Sequence, residues 1–241
     1  FLRASFLMLL AAACETDIDG TDFSENSGKG GSLARFALKD DYLYTVDEEN
    51  LHCFNLTKAS KPIYKNKVPV GFGVETIFPR GDHLFLGTQF GMHIMETTPP
   101  DQPEEISFFR HIVSCDPVVA DDRYAYITLS SNSRCGRNTN ELQIVNIKNL
   151  SSPSLVNTYR MNHPQGLGLH GDTLFVCDNN LKILDVSNVN NIKAMGSLNI
   201  DAHDVIPYHD ILFIIGDNGI YQFHIANDGL KQMSKLSVNS D

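Results

Sequence analysis

Between Phe36 and Val238 the chain alternates apolar and polar residues in short runs, broken by Asp, Asn, Gly, Ser and Pro. A period of two over four to seven residues predicts β-strands, and the breaking residues predict turns. The runs recur in order. Asp41-Tyr42-Leu43-Tyr44 is followed by Asn50 to Leu56, and Asp82-His83-Leu84-Phe85 by Gly91 to Met95. Asp122-Arg123-Tyr124-Ala125 is followed, after an insertion at Ser130 to Asn140, by Glu141 to Ile147. Asp172-Thr173-Leu174-Phe175 precedes Asn180 to Val186, and Asp210-Ile211-Leu212-Phe213 precedes Gly219 to Ile225. The Asp residues lie 41, 40, 50 and 38 positions apart. Each copy carries four strand signals: one before the Asp, one after it, an alternating third, and a fourth beyond a Ser/Asn/Pro turn. Four antiparallel strands in about 40 residues form one propeller blade. A blade cannot bury both faces alone, so blades must stack. The expected fold class is all-β: a single five-bladed β-propeller of four-stranded antiparallel blades in a closed ring, preceded by a signal peptide and flexible tether.

The first residues follow a different pattern. Phe1 to Ala13 read FLRASFLMLLAAA, with Arg3 and then an apolar run from Phe6 to Ala13. That run is too short to span a bilayer, which takes about 20 residues, and it ends in small residues as a secretory signal does. The stretch Leu10-Ala11-Ala12-Ala13-Cys14 resembles a bacterial lipobox, which implies diacylation of Cys14 and anchoring by its acyl chains. Asp17, Asp19 and Asp22 follow in a Gly/Ser/Asn-rich stretch that reads as a tether. This acidic patch resembles the export signal of some surface lipoproteins; a solvated acidic linker is the alternative. The expected organisation is a signal peptide over 1–13, lipidated Cys14 and tether over 14–31, and the propeller over 32–241. The expected location is the outer membrane or cell surface of a Gram-negative bacterium.

Leu142-Gln143-Ile144-Val145-Asn146-Ile147 and Leu181-Lys182-Ile183-Leu184-Asp185-Val186 resemble the LVIVD repeat. With Gly71 to Ile77, Ser114 to Val118 and Asp204 to Tyr208, the chain resembles LVIVD-repeat surface lipoproteins of bacteria. The resemblance implies a β-propeller on the cell envelope. It implies no reaction, because that family has no settled activity.

Composition narrows the partners. The chain is 42% hydrophobic and 20% charged, an ordinary globular balance. Its net charge of -10 argues against a nucleic-acid partner, since it cannot displace counterions from a phosphate backbone. The absence of Trp argues against WD-type repeats and against Trp platforms for sugars.

In a propeller the innermost strands converge on a channel, the default binding site. Six residues before each Asp stand Arg35, Thr76, Asp116, Gly166 and Asp204; seven before stand Ala34, Glu75, Cys115, Gln165 and His203. These positions are largely polar and differ from blade to blade. Arg35, Glu75, Thr76, Asp116, Gln165, His203 and Asp204 are therefore the candidate ligand-binding residues at the channel mouth. The plainer alternative is that Arg35 pairs with Asp116 or Asp204 and plugs the channel. No cofactor is expected, although Glu75, Asp116 and Asp204 offer oxygen ligands suited to a channel-bound Ca²⁺. The same three carboxylates are the only route to a glycoside hydrolase or lyase. They sit in no recognised catalytic motif, and the other His residues have no metal-ligand spacing, so no catalytic residue is assigned.

Export to an oxidising compartment permits disulfides. Cys135 in the long insertion and Cys115 at the channel mouth fall on one face and are the expected pair. Cys53 and Cys177 fall on strands of different blades and read as buried thiols. Arg134 and Arg137 in the insertion face the same side. The functional expectation is a non-catalytic binding or scaffold module on the envelope. It would be anchored in the membrane by lipid and would contact an envelope protein or extracellular glycan.

Overall fold

A computed structural model of the chain describes residues 30–111, 117–131 and 139–238. It is all-β: among the described residues there are twenty strands and no helix. They form five sheets of four antiparallel strands, each sheet in simple sequence order. The fold is a five-bladed β-propeller. The first blade is β1 (Phe36–Lys39), β2 (Tyr42–Val46), β3 (Asn50–Asn55) and β4 (Ile63–Pro69). The second is β5 (Val74–Arg80), β6 (His83–Thr88), β7 (Gly91–Glu96) and β8 (Glu104–Arg110). The third is β9 (Val118–Ala120), β10 (Tyr124–Leu129), β11 (Glu141–Asn146) and β12 (Ser154–Arg160). The fourth is β13 (Pro164–His170), β14 (Thr173–Asp178), β15 (Leu181–Asp185) and β16 (Lys193–Leu198). The fifth is β17 (Ala202–Tyr208), β18 (Ile211–Gly216), β19 (Gly219–Ala226) and β20 (Gly229–Leu236).

The repeated residues have local causes. In four blades the first hairpin turns on two residues, of which the first has left-handed backbone: Asp40, Gly81, Gly171 and His209. Asp, Asn and Gly tolerate that conformation best, which explains much of the punctuation. The repeated Asp comes second in the turn. Its backbone carbonyl receives the N–H that follows the third strand, as in Thr97 to Asp82 and Val186 to Asp172. The Asn or Asp closing the third strand caps the next turn through its side chain. Asn55 accepts from Thr57 N–H at 3.0 Å, Asn146 from Lys148 at 3.0 Å and Asp185 from Ser187 at 2.9 Å. Between third and fourth strands every blade carries a register shift at the same place, which adds to the sheet twist.

Neighbouring blades are joined by apolar seams. One cluster joins the first and second blades, a large one runs from the second to the fourth, and a third joins the fourth and fifth. The repeat register decides which residues meet. Three positions after the Asp stand Tyr44, Phe85, Ala125 and Phe175, all 2% exposed or less. Four positions after it stand Leu86, Tyr126, Val176 and Ile214, all fully buried on the opposite face. Each fully buried side chain of this size contributes about 1.5–3 kcal/mol.

The last seam differs. Phe213 and Thr45 occupy those same two positions where the fifth blade should face the first, and both are only half-buried. Ile215 is 37% exposed and Phe36 is 51% exposed. None of the apolar clusters joins these two blades, and β17 makes no contact with β1 comparable to that of β13 with β17. The ring expected from the repeat is therefore not sealed all round by apolar packing. Its last junction is made by the lead-in segment Gly30 to Arg35, which lies at the channel mouth. Ala34 O accepts from Ile77 N–H of the second blade at 2.9 Å, while Ser32 reaches the fourth and fifth blades.

Candidate functional site

The mouth of the channel is where the five inner strands begin. In three blades the inner strand is bulged there. Register slips between Val74 and Thr76, between Pro164 and Leu167, and between Ala202 and Asp204. The residues that these bulges set out of the ladder register include Glu75, Gln165 and His203. A bulge turns a side chain out of the ladder and re-aims it. The ring of candidates seven residues before each repeated Asp is thus a ring of bulge residues in the second, fourth and fifth blades. Asp116 and Cys115, the corresponding residues of the third blade, lie outside the described residues, as do Cys14, Arg134, Cys135 and Arg137.

The bulges bring some candidates together. His203 Nδ1 lies 3.1 Å from Gln165 Oε1, and its Nε2 lies 2.5 Å from Asp217 Oδ1. The chain Gln165–His203–Asp217 crosses from the fourth blade to the fifth. On the other side of the mouth, Gln89 Nε2 donates to Glu75 Oε1 at 3.1 Å, and Arg35 donates to Val74 O at 3.4 Å. Burial pushes the Glu75 carboxyl above its ordinary range, and the Gln89 hydrogen bond and the Arg35 charge oppose that rise. Thr76 is buried.

Asp204 is placed differently. It is 7% exposed, and its carboxylate accepts from Ser32 Oγ at 3.1 Å and Val205 N–H at 2.9 Å, and also from the backbone N–H groups of Ser32 and Leu33. Ser32 Oγ accepts in turn from Leu167 N–H at 2.7 Å. The carboxylate thus holds the lead-in segment against the fourth and fifth blades. Glycine makes room for it: a Cβ at Gly31 or Gly166 would collide with the Asp204 carboxylate. Burial raises the Asp204 carboxyl above the usual aspartate range despite these donors. The partner of Asp204 is the lead-in backbone, not Arg35.

Asp178, which sequence reasoning missed, is a second buried carboxylate, in the fourth blade. Its side chain receives Lys182 Nζ at 2.5 Å and the N–H groups of Asn162 and His163. Burial pushes its carboxyl up, but Lys182 and the two amides outweigh burial and hold it below the ordinary range. Only the Asn-Asn turn after Asp178 marked the position in the sequence, and that gave no hint of a buried charge. Cys53 and Cys177 are free and buried, with burial pushing the Cys53 thiol up to about 12. Among the described residues, no three His, Cys, Asp or Glu side chains converge as a metal site would require. No helix among them is long and apolar enough to cross a membrane.

Comparison with known proteins fits this geometry. The model of the LVIVD repeat matches residues 115–161 and 164–200, the spans of the third and fourth blades. These two blades are similar to LVIVD repeats. The other three blades share their topology and their third-strand bulges, and they share the two-residue first hairpin of the fourth blade. No curated protein matches the chain. Among solved structures it is similar to a functionally unknown protein from Desulfotomaculum acetoxidans DSM 771. That match has 12% identity and a TM-score of 0.66, over 85% of this chain and 69% of that one. A protein from Lactobacillus plantarum matches at 14% identity and a TM-score of 0.62, over 82% of this chain and 68% of that one. A chain of the Mitotic Checkpoint Complex matches at 10% identity and a TM-score of 0.59, over 83% of this chain and 64% of that one. At these identities the likeness concerns the fold alone.

Proposed function

We propose that the LVIVD-repeat propeller is a non-catalytic binding or scaffold module of a bacterial envelope lipoprotein. It presents the channel-mouth face to a protein or glycan partner. The observation that carries this reading is the set of bulges at one repeat position. A fold built on repetition breaks its ladder at Glu75, Gln165 and His203, where each blade offers a different polar group. Bulges concentrate where a side chain is re-aimed for use. The proposed anchoring rests on the lipobox resemblance of Leu10 to Cys14 and on the apolar run before it. The surface location rests on the acidic stretch after it.

The geometry favours binding over hydrolysis. A glycosidase needs two carboxylates aimed at one sugar from opposite sides. Asp204 spends its acceptors on the lead-in backbone, and Glu75 is bonded to Gln89. The test is crosslinking on intact cells, with captured proteins identified by mass spectrometry and captured glycans by labelling. Wild type should capture a partner. The combined variant Glu75→Ala, Gln165→Ala, His203→Ala should lose it while melting within a few degrees of wild type. Equal capture by both would refute the mouth-face reading, and turnover of any member of a glycan panel would refute the non-catalytic one. Cys14→Ala should leave the protein unanchored; if it stayed in the membrane fraction with its signal processed as before, the lipoprotein proposal would fail.

A further inference from the structure

Resting on that mouth-face reading, we infer that the mouth docks a cationic polypeptide segment bearing apolar side chains, with Phe72 as the anchor and Glu48 and Glu49 as the counter-charges. Phe72 is 60% exposed, the most exposed of the large aromatic residues described. It stands on the connection from β4 to β5, at the channel-mouth end of both strands. That connection is fixed. The N–H groups of Val70 and Gly71 donate to Glu49 O at 2.9 and 3.1 Å. Those of Gly73 and Val74 donate to Glu48 O at 2.8 and 3.0 Å, and Gly73 O accepts from Gln89 N–H at 3.0 Å. Gly71 and Gly73 flank Phe72 with φ of 121° and 82°, a backbone that a side-chain-bearing residue rarely adopts. Five backbone hydrogen bonds and two special glycines thus hold a phenyl ring in water. A connection that only had to join two strands gains nothing from that arrangement.

The surroundings supply the chemistry of the partner. Phe90, 39% exposed, lies on the turn whose Gln89 N–H is bonded to the Phe72 loop. Leu33, 41% exposed, lies on the lead-in segment at the mouth. The carbonyls that hold the loop belong to Glu48 and Glu49, so two exposed glutamates stand on the turn to which the Phe72 loop is bonded. Neither is paired among the described residues. Rigid aromatic anchors ringed by polar residues are the hot spots of protein interfaces. Here the two glutamates outnumber the one cation, Arg35 on Val74 O, and the chain's net charge is -10, so the complementary segment carries Lys or Arg next to Leu, Ile or Phe. The same acidity repels the anionic surface of a lipid bilayer.

The test uses the full chain and fluorescein-labelled 12-residue peptides of three compositions: Lys/Arg with Leu/Phe, Glu with Leu/Phe, and Lys/Arg with Gly/Ser. Neutral oligosaccharides and vesicles of phosphatidylcholine with phosphatidylglycerol complete the panel. Anisotropy should show binding of the first peptide in preference to all others. Phe72→Ser should weaken it about 30-fold or more, the loss that marks a hot spot. Glu48→Gln with Glu49→Gln should weaken it less and flatten its salt dependence. Thermal unfolding should stay unchanged in both, because the residues lie in solvent. Three outcomes overturn the inference: equal binding of the acidic peptide, no effect of Phe72→Ser, or Phe72-dependent binding of vesicles or sugars in place of the peptide. The intact-cell capture separates the two proposals. If Phe72→Ser keeps the partner and the bulge variant loses it, the Phe72 anchor falls and the mouth-face reading stands. If Phe72→Ser loses the partner and the bulge variant keeps it, the bulge reading falls and the anchor stands.

Discussion

The seam between the fourth and fifth blades and the junction between the fifth and first use the same repeat positions and reach opposite results. In the former, Phe175 and Ile214 face one another's blades and are buried to 1% and 0%. In the latter, Phe213 and Thr45 hold those positions and stay half-buried. Gly166 and Gly168 sharpen the contrast, because a Cβ at either would strike β17 at Asp204 or Pro207. The fourth blade is thus shaped to accept the fifth closely, and the first blade is not. Repetition specifies which face of a strand is apolar; the local residues decide whether two such faces meet. Where they do not, Ser32 and Asp204 supply a polar junction.

The contrast can be broken at four points, from the largest effect to the smallest. Ile214→Ala empties a fully buried position of the sealed seam and should cost about 3–4 kcal/mol in urea unfolding. Asp178→Asn strands Lys182 and should cost about 3 kcal/mol at pH 7. Its sign with pH follows from the depressed carboxyl. The stabilisation is present above the unfolded-state value of about 3.9 and is lost as pH falls through the lower folded value. Unfolding at pH 7 and pH 3 should therefore show the penalty of Asp178→Asn shrinking on acidification. Asp204 runs the other way: its raised carboxyl makes its contribution to stability fall as pH rises past the ordinary aspartate range. Ser32→Ala removes the hydroxyl between Leu167 N–H and Asp204 and should cost about 1–2 kcal/mol by the same titration. It should also speed hydrogen exchange of the Leu167 amide. Thr45→Val places an aliphatic residue where the other blades have an apolar one. With no packed neighbour to meet, it should shift stability by no more than about 0.5 kcal/mol.

Much of this was legible in the sequence because it is local. The alternation, the Asp-anchored hairpins and the Asn or Asp closing several third strands are set by neighbours within a few residues. They placed all five blades. The inner strands β5, β13 and β17 run longer than their apolar runs suggested, because the bulges carry pairing past polar residues at the mouth. The candidates seven residues before each Asp were visible as a ring, but nothing in one sequence says that a ladder will slip at Glu75. The Ser32–Asp204 junction spans 172 positions, and a Ser after two glycines has no signature of its partner. The buried charge at Asp178 and the unsealed faces of the outer blades were equally hidden. Both depend on what lies opposite, and periodicity does not record that.

One repeat position is core in the fourth blade and rim in the fifth, and the polar closure of the ring depends on that difference. Phe175→Ala and Phe213→Ala, unfolded side by side in urea with the same slope, test it directly. Phe175→Ala should cost about 3–5 kcal/mol and Phe213→Ala about 1 kcal/mol. Equal losses would show that the fifth blade is sealed against the first as firmly as the others are against one another, and would contradict the polar closure.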